Sequence, residues 1–233
     1  MKRVILCFFC LSLAYLPSPT PSKAWYDETH VAIAKVAGYP KWFNAVGPDM
    51  IRLKMGTREG HNHFVNNPRG TIVTPDTAIR QAPKYNTIDP AGHLYGAIIG
   101  SVRAYIKDKQ EGKYAEYHLA FCAHYVADLS QPLHNIEYNA FNQAYHRDVD
   151  GIINDEVLEN LDKIKIYPIR IGSEEDLAKE IAKIANLSIA LGYKLEDENR
   201  ILTKEEAYQQ IGHSASLFKA ILEYVKEGNE SGK

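Results

Sequence analysis

Apolar residues along the chain recur mostly at three- and four-residue steps, the spacing that places them on one face of an α-helix. One such face is formed by Leu94, Ala97, Ile98, Val102 and Tyr105, within a helix predicted over residues 90–107. The same spacing predicts helices over residues 25–36, 114–129, 139–162, 173–191 and 203–226. The alternation that indicates strands is nearly absent. We therefore predict an all-α fold, a single-domain multi-helix bundle.

Residues 47–90 break this periodicity and are rich in Gly, Pro, Asn and Thr. This composition predicts a long loop, and long loops in compact domains usually carry function. The segment contains Asp49, His61 and His63, three side chains that can act as metal ligands or proton acceptors.

The first 24 residues join a basic start to an apolar run that is too short to span a bilayer comfortably. Small residues at Ser22 and Ala24 fit a signal-peptide cleavage site, so Trp25 would become the new amino terminus. A retained signal anchor is the alternative. We expect an exported protein, secreted or periplasmic, with one domain over residues 25–226 and a polar tail over residues 227–233.

Charge and cysteine content narrow the function further. Removing residues 1–24 takes away three basic residues and no acid, so the formal net charge falls from −2 to −5. Such a charge does not attract nucleic acid, and no stable nucleic-acid partner is expected. Cys7 and Cys10 lie in the predicted signal peptide, which leaves Cys122 unpaired and, by its apolar surroundings, buried.

Two His/Asp pairs share the same spacing of four residues. His124 and Asp128 lie in the segment HYVADLSQPLH, and His146 and Asp150 lie in YHRDVDGII, with His134 between the pairs. Residues four apart lie on one face of a helix, so each pair can offer an imidazole nitrogen and a carboxylate oxygen to one cation. The repetition predicts a cluster of metal ions rather than a single ion.

Together these features resemble the zinc-dependent phospholipase C and single-strand nuclease superfamily. The resemblance rests on Trp25 directly after the cleavage site, on the HF followed by Asn and Pro at His63, on HYVADLSQPLH, and on the His146 and Asp150 pair. It implies an all-helical fold with a cleft that holds about three zinc ions.

The resemblance also implies which residues hold each ion. The first zinc would be held by Asp49, His63, His124 and Asp128. The second would be held by His134, His146 and Asp150, and the third by His30, a bridging Asp128, and the α-amino group and carbonyl of Trp25. Signal removal would then complete the metal site.

Several assignments have alternatives. His61 competes with His63, which the HF motif favours, and Asp148 competes with Asp150, which the spacing from His146 favours. Asp49 is a candidate general base as well as a ligand. Glu28 is a weaker candidate for binding a substrate head group, since an acid in the first turn of a helix is also favoured by the helix dipole.

The leading hypothesis is an exported zinc-dependent phosphodiesterase that hydrolyses phospholipids in the manner of phospholipase C. Zinc lowers the pKa of a bound water to about 7, and that water would attack phosphorus. Trp42 and Phe43 are candidates for peripheral contact with a membrane surface. The alternatives are a single-strand nuclease or nucleotidase with the same metal chemistry, and a non-catalytic exported zinc-binding protein.

Overall fold

The structure of the protein, a computed structural model, describes residues 25–55 and 57–230. Within these ranges every regular element is helical, and the only β-type pairing is an isolated antiparallel bridge between Val65 and Gly92. The predicted all-α fold is therefore confirmed. The predicted signal peptide and the last three residues of the predicted tail lie outside the described residues.

The α-helices of the described chain are numbered in order. They are α1 Asp27–Val36, α2 Gly47–Met55, α3 Thr57–Gly60, α4 Pro75–Gln81, α5 Leu94–Gln110, α6 Glu116–Leu129, α7 Ala140–Gly151, α8 Asn154–Val157, α9 Glu174–Asp197 and α10 Lys204–Glu230. Short 3₁₀ helices cover Trp42–Val46, Ala82–Lys84, Pro132–His134 and Leu161–Lys163. Among the helices described here, none is long and apolar enough to cross a membrane.

The helix predicted over residues 139–162 is interrupted after α7. Gly151 lies so close to Tyr26 that a Cβ at this position would be 3.0 Å from the tyrosine ring. The chain then turns through the buried Ile153 before α8 begins. The last residue of α7 thus packs closely against Tyr26 at the start of the described chain, a contact that the sequence pattern does not reveal.

The predicted loop over residues 47–90 is wrong in part, because it contains α2, α3 and α4. Helix α4 begins at Pro75 and is capped by Thr74, whose hydroxyl accepts the N–H of Thr77 while the Thr77 side chain returns to the Thr74 N–H. This is a capping box with proline at the first helical position. At the other end of the domain, α10 continues to Glu230, four residues past the predicted end at 226.

The core forms around α6. This helix packs against α5 and α10, and α9 packs against α4 and the 3₁₀ helix Pro132–His134. Trp25, Tyr95, Tyr125 and Phe218 are the largest fully buried side chains, and burying each large apolar side chain contributes about 1.5–3 kcal/mol. Cys122 is a buried free thiol, as the sequence predicts.

The segment around His63 is held against α5 and the chain after α6. The N–H of Val65 donates to the carbonyl of His134 at 2.8 Å, and the N–H of Leu94 donates to the carbonyl of Phe64 at 3.3 Å. Gly92 permits this approach, since its φ is +73° and a Cβ there would lie 2.1 Å from the Phe64 oxygen. These contacts fix His63 beside the buried face of α6.

Candidate metal centre

Histidine and aspartate side chains gather in three groups at the centre of the fold. Within each group one donor atom per residue lies within 4.8 Å of the others, and the groups are His30, His124 and Asp128; Asp49, His63 and His124; and His134, His146 and Asp150. All of these residues are buried except Asp49, which is half-buried. The three groups could hold metal ions.

Asp128 belongs to the first group and also contacts His63 of the second. Helix α6 places His124 and Asp128 on one face, with His124 Nε2 and Asp128 Oδ2 3.5 Å apart. Asp128 Oδ1 lies 3.2 Å from His30 Nε2, and Oδ2 lies 2.9 Å from His63 Nδ1. The two oxygens of this carboxylate therefore contact different histidines, one in each group.

His124 is the second link between these groups. Its Nε2 lies 3.1 Å from His63 Nδ1 and 3.8 Å from Asp49 Oδ1. Its ring also stacks on the ring of His30, with centroids 3.9 Å apart. The side chains predicted to form the first and third zinc sites are thus adjacent, and α6 supplies the two that join them.

The third group is built from α7 and the 3₁₀ helix Pro132–His134. His134 Nε2 and His146 Nε2 are 3.1 Å apart, and Asp150 Oδ2 lies 3.6 Å from His146 Nε2. Gln131 donates from Nε2 to Asp150 Oδ1 at 2.5 Å, and its side-chain oxygen Oε1 accepts the backbone N–H of His134 at 3.2 Å. A single glutamine therefore orients two of the three candidate ligands.

The protonation of these rings follows from their outward partners. His124 Nδ1 lies 2.8 Å from the carbonyl of Ala45, and His134 Nδ1 lies 2.5 Å from the carbonyl of His63. His146 Nδ1 lies 2.6 Å from the side-chain oxygen of Asn142. These oxygens only accept hydrogen bonds, so each Nδ1 carries the hydrogen and each Nε2 presents a lone pair inwards.

This arrangement suits a cation. The Nε2 atoms of His134 and His146 face each other as two acceptors at 3.1 Å, which is repulsive unless a positive charge lies between them. Two nitrogens on one tetrahedral zinc ion, each about 2.0–2.1 Å from it, lie roughly 3.3 Å apart. Asp150 Oδ2, buried and without a hydrogen bond in the described chain, completes the donor set. The residues therefore fit a bound metal ion.

In the first two groups, burial and neighbouring charged groups shift the pKa values of the side chains. Burial opposes charge on His63, but the hydrogen bond to Asp128 and the nearby Glu59 outweigh it and raise its pKa to about 9. Burial lowers the pKa of His124 to about 3. Burial also opposes the negative charge of Asp128, yet the surrounding histidines hold its pKa well below the ordinary value. The centre thus keeps an ionised carboxylate surrounded by groups that can stabilise it.

Burial acts differently in the third group. It raises the pKa of Asp150 well above the ordinary value and lowers that of His134. Burial therefore favours the neutral forms of both Asp150 and His134.

Other predicted residues fall in distinct places. His63, and not His61, belongs to the groups, since His61 Nδ1 accepts the backbone N–H of Asp89 at 3.1 Å. Asp150 is buried in the third group, whereas Asp148 is exposed. The carboxylate of Glu28 belongs to none of the three groups, and this residue is exposed in the first turn of α1.

Trp25 is fully buried at the start of the described chain. The next residue, Tyr26, donates its N–H to the backbone oxygen of Asp150 at 3.3 Å, and its carbonyl lies 3.4 Å from His30 Nδ1. The start of the domain is therefore connected to two of the three groups. Ligation by the Trp25 amino group and carbonyl stays a prediction.

Three residues that support the groups were not predicted. Gln131 and Asn142 orient their neighbours as described above, and Glu59 Oε1 lies 3.6 Å from His63 Nε2. Gln131 lies within HYVADLSQPLH, three residues before His134, so the sequence could have marked it as a residue that supports this ligand. Glu59 lies in a polar stretch without periodicity, and only the folded chain shows its burial.

Neither a protein-family model nor a curated protein matches this sequence. The assignment of a function therefore rests on the chemistry of the site.

Proposed function

We propose that the protein is an exported zinc-dependent phosphodiesterase that hydrolyses phospholipids in the manner of phospholipase C. The observation that carries the proposal is the contact of Asp128 with His30 through one oxygen and with His63 through the other. Such a carboxylate can join two cations a few ångströms apart, the arrangement used for charge stabilisation in phosphoryl transfer.

The donor set favours zinc. The groups contain imidazole nitrogens and carboxylate oxygens, which zinc accepts in tetrahedral or five-coordinate sites. Cys122 belongs to none of them, and burial raises the pKa of its thiol to about 12. A site of this kind is less suited to Cu(I), which prefers thiolate and thioether ligands.

Asp49 is proposed as the proton acceptor. Its side chain and that of His146 are 13% and 9% exposed, whereas Asp128 is fully buried. Although burial opposes its charge, His124 and His63 lower the pKa of Asp49, so it is ionised at neutral pH. Bound zinc would supply Lewis acidity and a water with a pKa of about 7. Asp49 can take a proton from a nucleophile that enters on this exposed side.

Two exposed apolar side chains near Asp49 support a lipid substrate. Met50 follows Asp49 directly in α2 and is 61% exposed. Phe43, in the 3₁₀ helix whose Ala45 holds His124, is 57% exposed. Trp42 is half-buried against the core, so Phe43 is the better candidate for membrane contact. These side chains can enter the interface of a lipid aggregate.

One observation favours a nuclease as the second candidate. The ring of Tyr138 is 49% exposed and lies with its centroid 6.4 Å from that of His146. An exposed aromatic ring beside a metal group can stack on a nucleic-acid base. The predicted mature charge of −5 weighs against this alternative.

A phosphorus NMR time course tests the proposal. Zinc-loaded protein that begins at Trp25 is mixed with short-chain phosphatidylcholine and a single-stranded oligonucleotide. Phosphorylcholine should appear, and it should be absent when the zinc is removed with a chelator. Mononucleotide signals with intact lipid would establish the nuclease instead. If neither product appears while zinc is bound at full stoichiometry, the protein is a non-catalytic zinc-binding protein.

A second comparison isolates the lipid surface. Phe43→Ser should slow hydrolysis of micellar lipid about tenfold and leave hydrolysis of the same lipid below its critical micelle concentration unchanged. Leu187→Ser is the matched control, because Leu187 is 43% exposed but lies on α9, which contributes no member to the three groups. Equal rates for wild type and Phe43→Ser on micelles would show that Phe43 does not contribute to lipid contact.

A further inference from the structure

His63 is oriented opposite to the other clustered histidines. It turns Nδ1 towards His124 and Asp128 and directs Nε2 outwards, whereas His124, His134 and His146 turn Nε2 inwards. The outward nitrogens of those three have neutral oxygen acceptors at 2.5–2.8 Å. His63 Nε2 is buried, has no hydrogen bond in the described chain, and lies 3.6 Å from Glu59 Oε1.

Glu59 is an unusual residue for this position. It is 1% exposed, and none of the salt bridges in the described chain pairs it with lysine or arginine. Burying a carboxylate without a positive partner is costly, and a charge of this kind is normally paired or placed near a metal ion. The contact with His63 places Glu59 3.6 Å from a ring that can carry positive charge.

The Glu59 carboxylate is held in a fixed orientation. Tyr125 donates its hydroxyl to Oε1 at 2.6 Å, and Asn62 donates from Nδ2 to Oε2 at 3.0 Å. Asn62 is itself fixed, since its side-chain oxygen accepts the N–H of Asn86 at 3.1 Å and lies 2.9 Å from His93 Nε2. Four residues outside the three groups therefore determine where Glu59 stands.

We propose that Glu59 is a positioning residue for the metal ion of the Asp49, His63 and His124 group. Its carboxylate holds the proton of His63 on Nε2, which leaves the lone pair on Nδ1 for the metal. A cation on Nδ1 makes Nε2–H a stronger donor, so the 3.6 Å contact shortens to a hydrogen bond when metal binds. The inference rests on the metal site of the proposed function and does not depend on turnover.

Glu59 also distinguishes this group from the others. A carboxylate behind an imidazole raises its basicity more than a neutral carbonyl or amide does, and loss of such a partner typically weakens metal binding 10- to 100-fold. The His134, His146 and Asp150 group has no equivalent, since Asn142 and the His63 carbonyl are neutral. Removing the charge of Glu59 should therefore affect one zinc site and spare that group.

The test is competition for zinc with a chromophoric chelator in wild type, Glu59→Gln and Glu59→Asp. We expect Glu59→Gln to bind one zinc ion about 10- to 100-fold more weakly, while the affinity of the His134 group is unchanged. Glu59→Asp keeps the charge and should recover part of the loss. Circular dichroism and urea unfolding of the zinc-free proteins test whether each variant folds. If Glu59 had only a structural role, Glu59→Gln would lose stability without zinc; we expect its zinc-free stability to be close to that of wild type.

Nitrogen-15 NMR of labelled histidine gives an independent readout. In zinc-loaded wild type, one ring should show a protonated Nε2 and a metal-bound Nδ1, and His63→Gln should remove that signal. Unchanged zinc affinity in Glu59→Gln, or a metal-bound Nε2 on His63, would overturn the proposal. A protein that binds zinc as expected but hydrolyses no phosphodiester would overturn the proposed function alone.

Discussion

Oδ1 of Asp128 lies 3.2 Å from Nε2 of His30, a residue that precedes it by 98 positions. The other oxygen of Asp128 lies 2.9 Å from His63 Nδ1. Asp128 thus contacts members of two groups, whereas His134 belongs to a single group. Substitutions of the two residues should have unequal effects.

Asp128→Ala should lose two zinc ions, and His134→Ala should lose one. A site filled at a free zinc concentration 1,000-fold above its dissociation constant contributes about 4 kcal/mol to stability, so the loss in Asp128→Ala should be roughly twice that in His134→Ala. Zinc content by mass spectrometry and urea unfolding at fixed free zinc measure both quantities. Equal and small losses in the two variants would contradict the shared position of Asp128.

One extra residue ahead of Trp25 should lower the zinc stoichiometry by about one ion. The extension removes the free α-amino group that the third site is predicted to use, while Tyr26 keeps its hydrogen bond to Asp150. The control is the protein that begins at Trp25, prepared and loaded in the same way. Full occupancy in the extended protein would exclude the amino group as a ligand.

Gln131→Met should destabilise the zinc-free protein by about 2–3 kcal/mol. Methionine is similar in size, but it removes the donor to Asp150 Oδ1 and the acceptor for the N–H of Leu133, which leaves two buried polar groups unpaired, whereas the N–H of His134 keeps its bond to the Gln131 backbone oxygen. Chemical denaturation after chelator treatment gives the value. Gln143→Met, at an exposed position of α7, is the control and should change stability by less than about 0.5 kcal/mol.

His93 should contribute to acid sensitivity. Burial lowers its pKa to about 4, against about 6.5 in the unfolded chain. The unfolded state therefore takes up this proton first, so stability is complete above pH 6.5 and falls as the pH drops towards 4. After allowance for solvent screening, the contribution is about 2 kcal/mol. His93→Gln, which can still donate to Asn62, should unfold with a shallower pH dependence between pH 6.5 and 4 in zinc-free urea titrations.

A pH dependence in His93→Gln equal to that of wild type would show that other groups carry the acid sensitivity. His213→Gln is the comparison variant. Burial also lowers the pKa of His213, so this substitution should likewise make the pH dependence shallower, at a site where the ring stacks on Tyr167.

The sequence predicted the parts of the centre that depend on local periodicity. The spacing of four in His124 and Asp128, and again in His146 and Asp150, became two buried helical pairs. A helix brings such residues together whatever the rest of the chain does. The all-α class was predictable for the same reason, since it follows from repeated apolar spacing.

Features that depend on distant partners could not be predicted in this way. The buried Glu59 accepts a hydrogen bond from Tyr125, 66 residues later, and nothing adjacent in the sequence marks it as a core residue. The close packing of Tyr26 on Gly151, at the end of α7, likewise joins residues distant in sequence. Helix α4 had a local signal in Thr74 and Pro75, which the composition of residues 47–90 obscured.

The hydrogen bond from the Tyr26 N–H to the Asp150 oxygen has a dynamic consequence. The amide of Tyr26 can exchange with deuterium only when the beginning of the domain separates from the end of α7. Release of metal from the His134, His146 and Asp150 group should make that local opening more frequent. Deuterium uptake at Tyr26 should then accelerate first, while amides in the middle of α9 and α10 continue to exchange only through global unfolding.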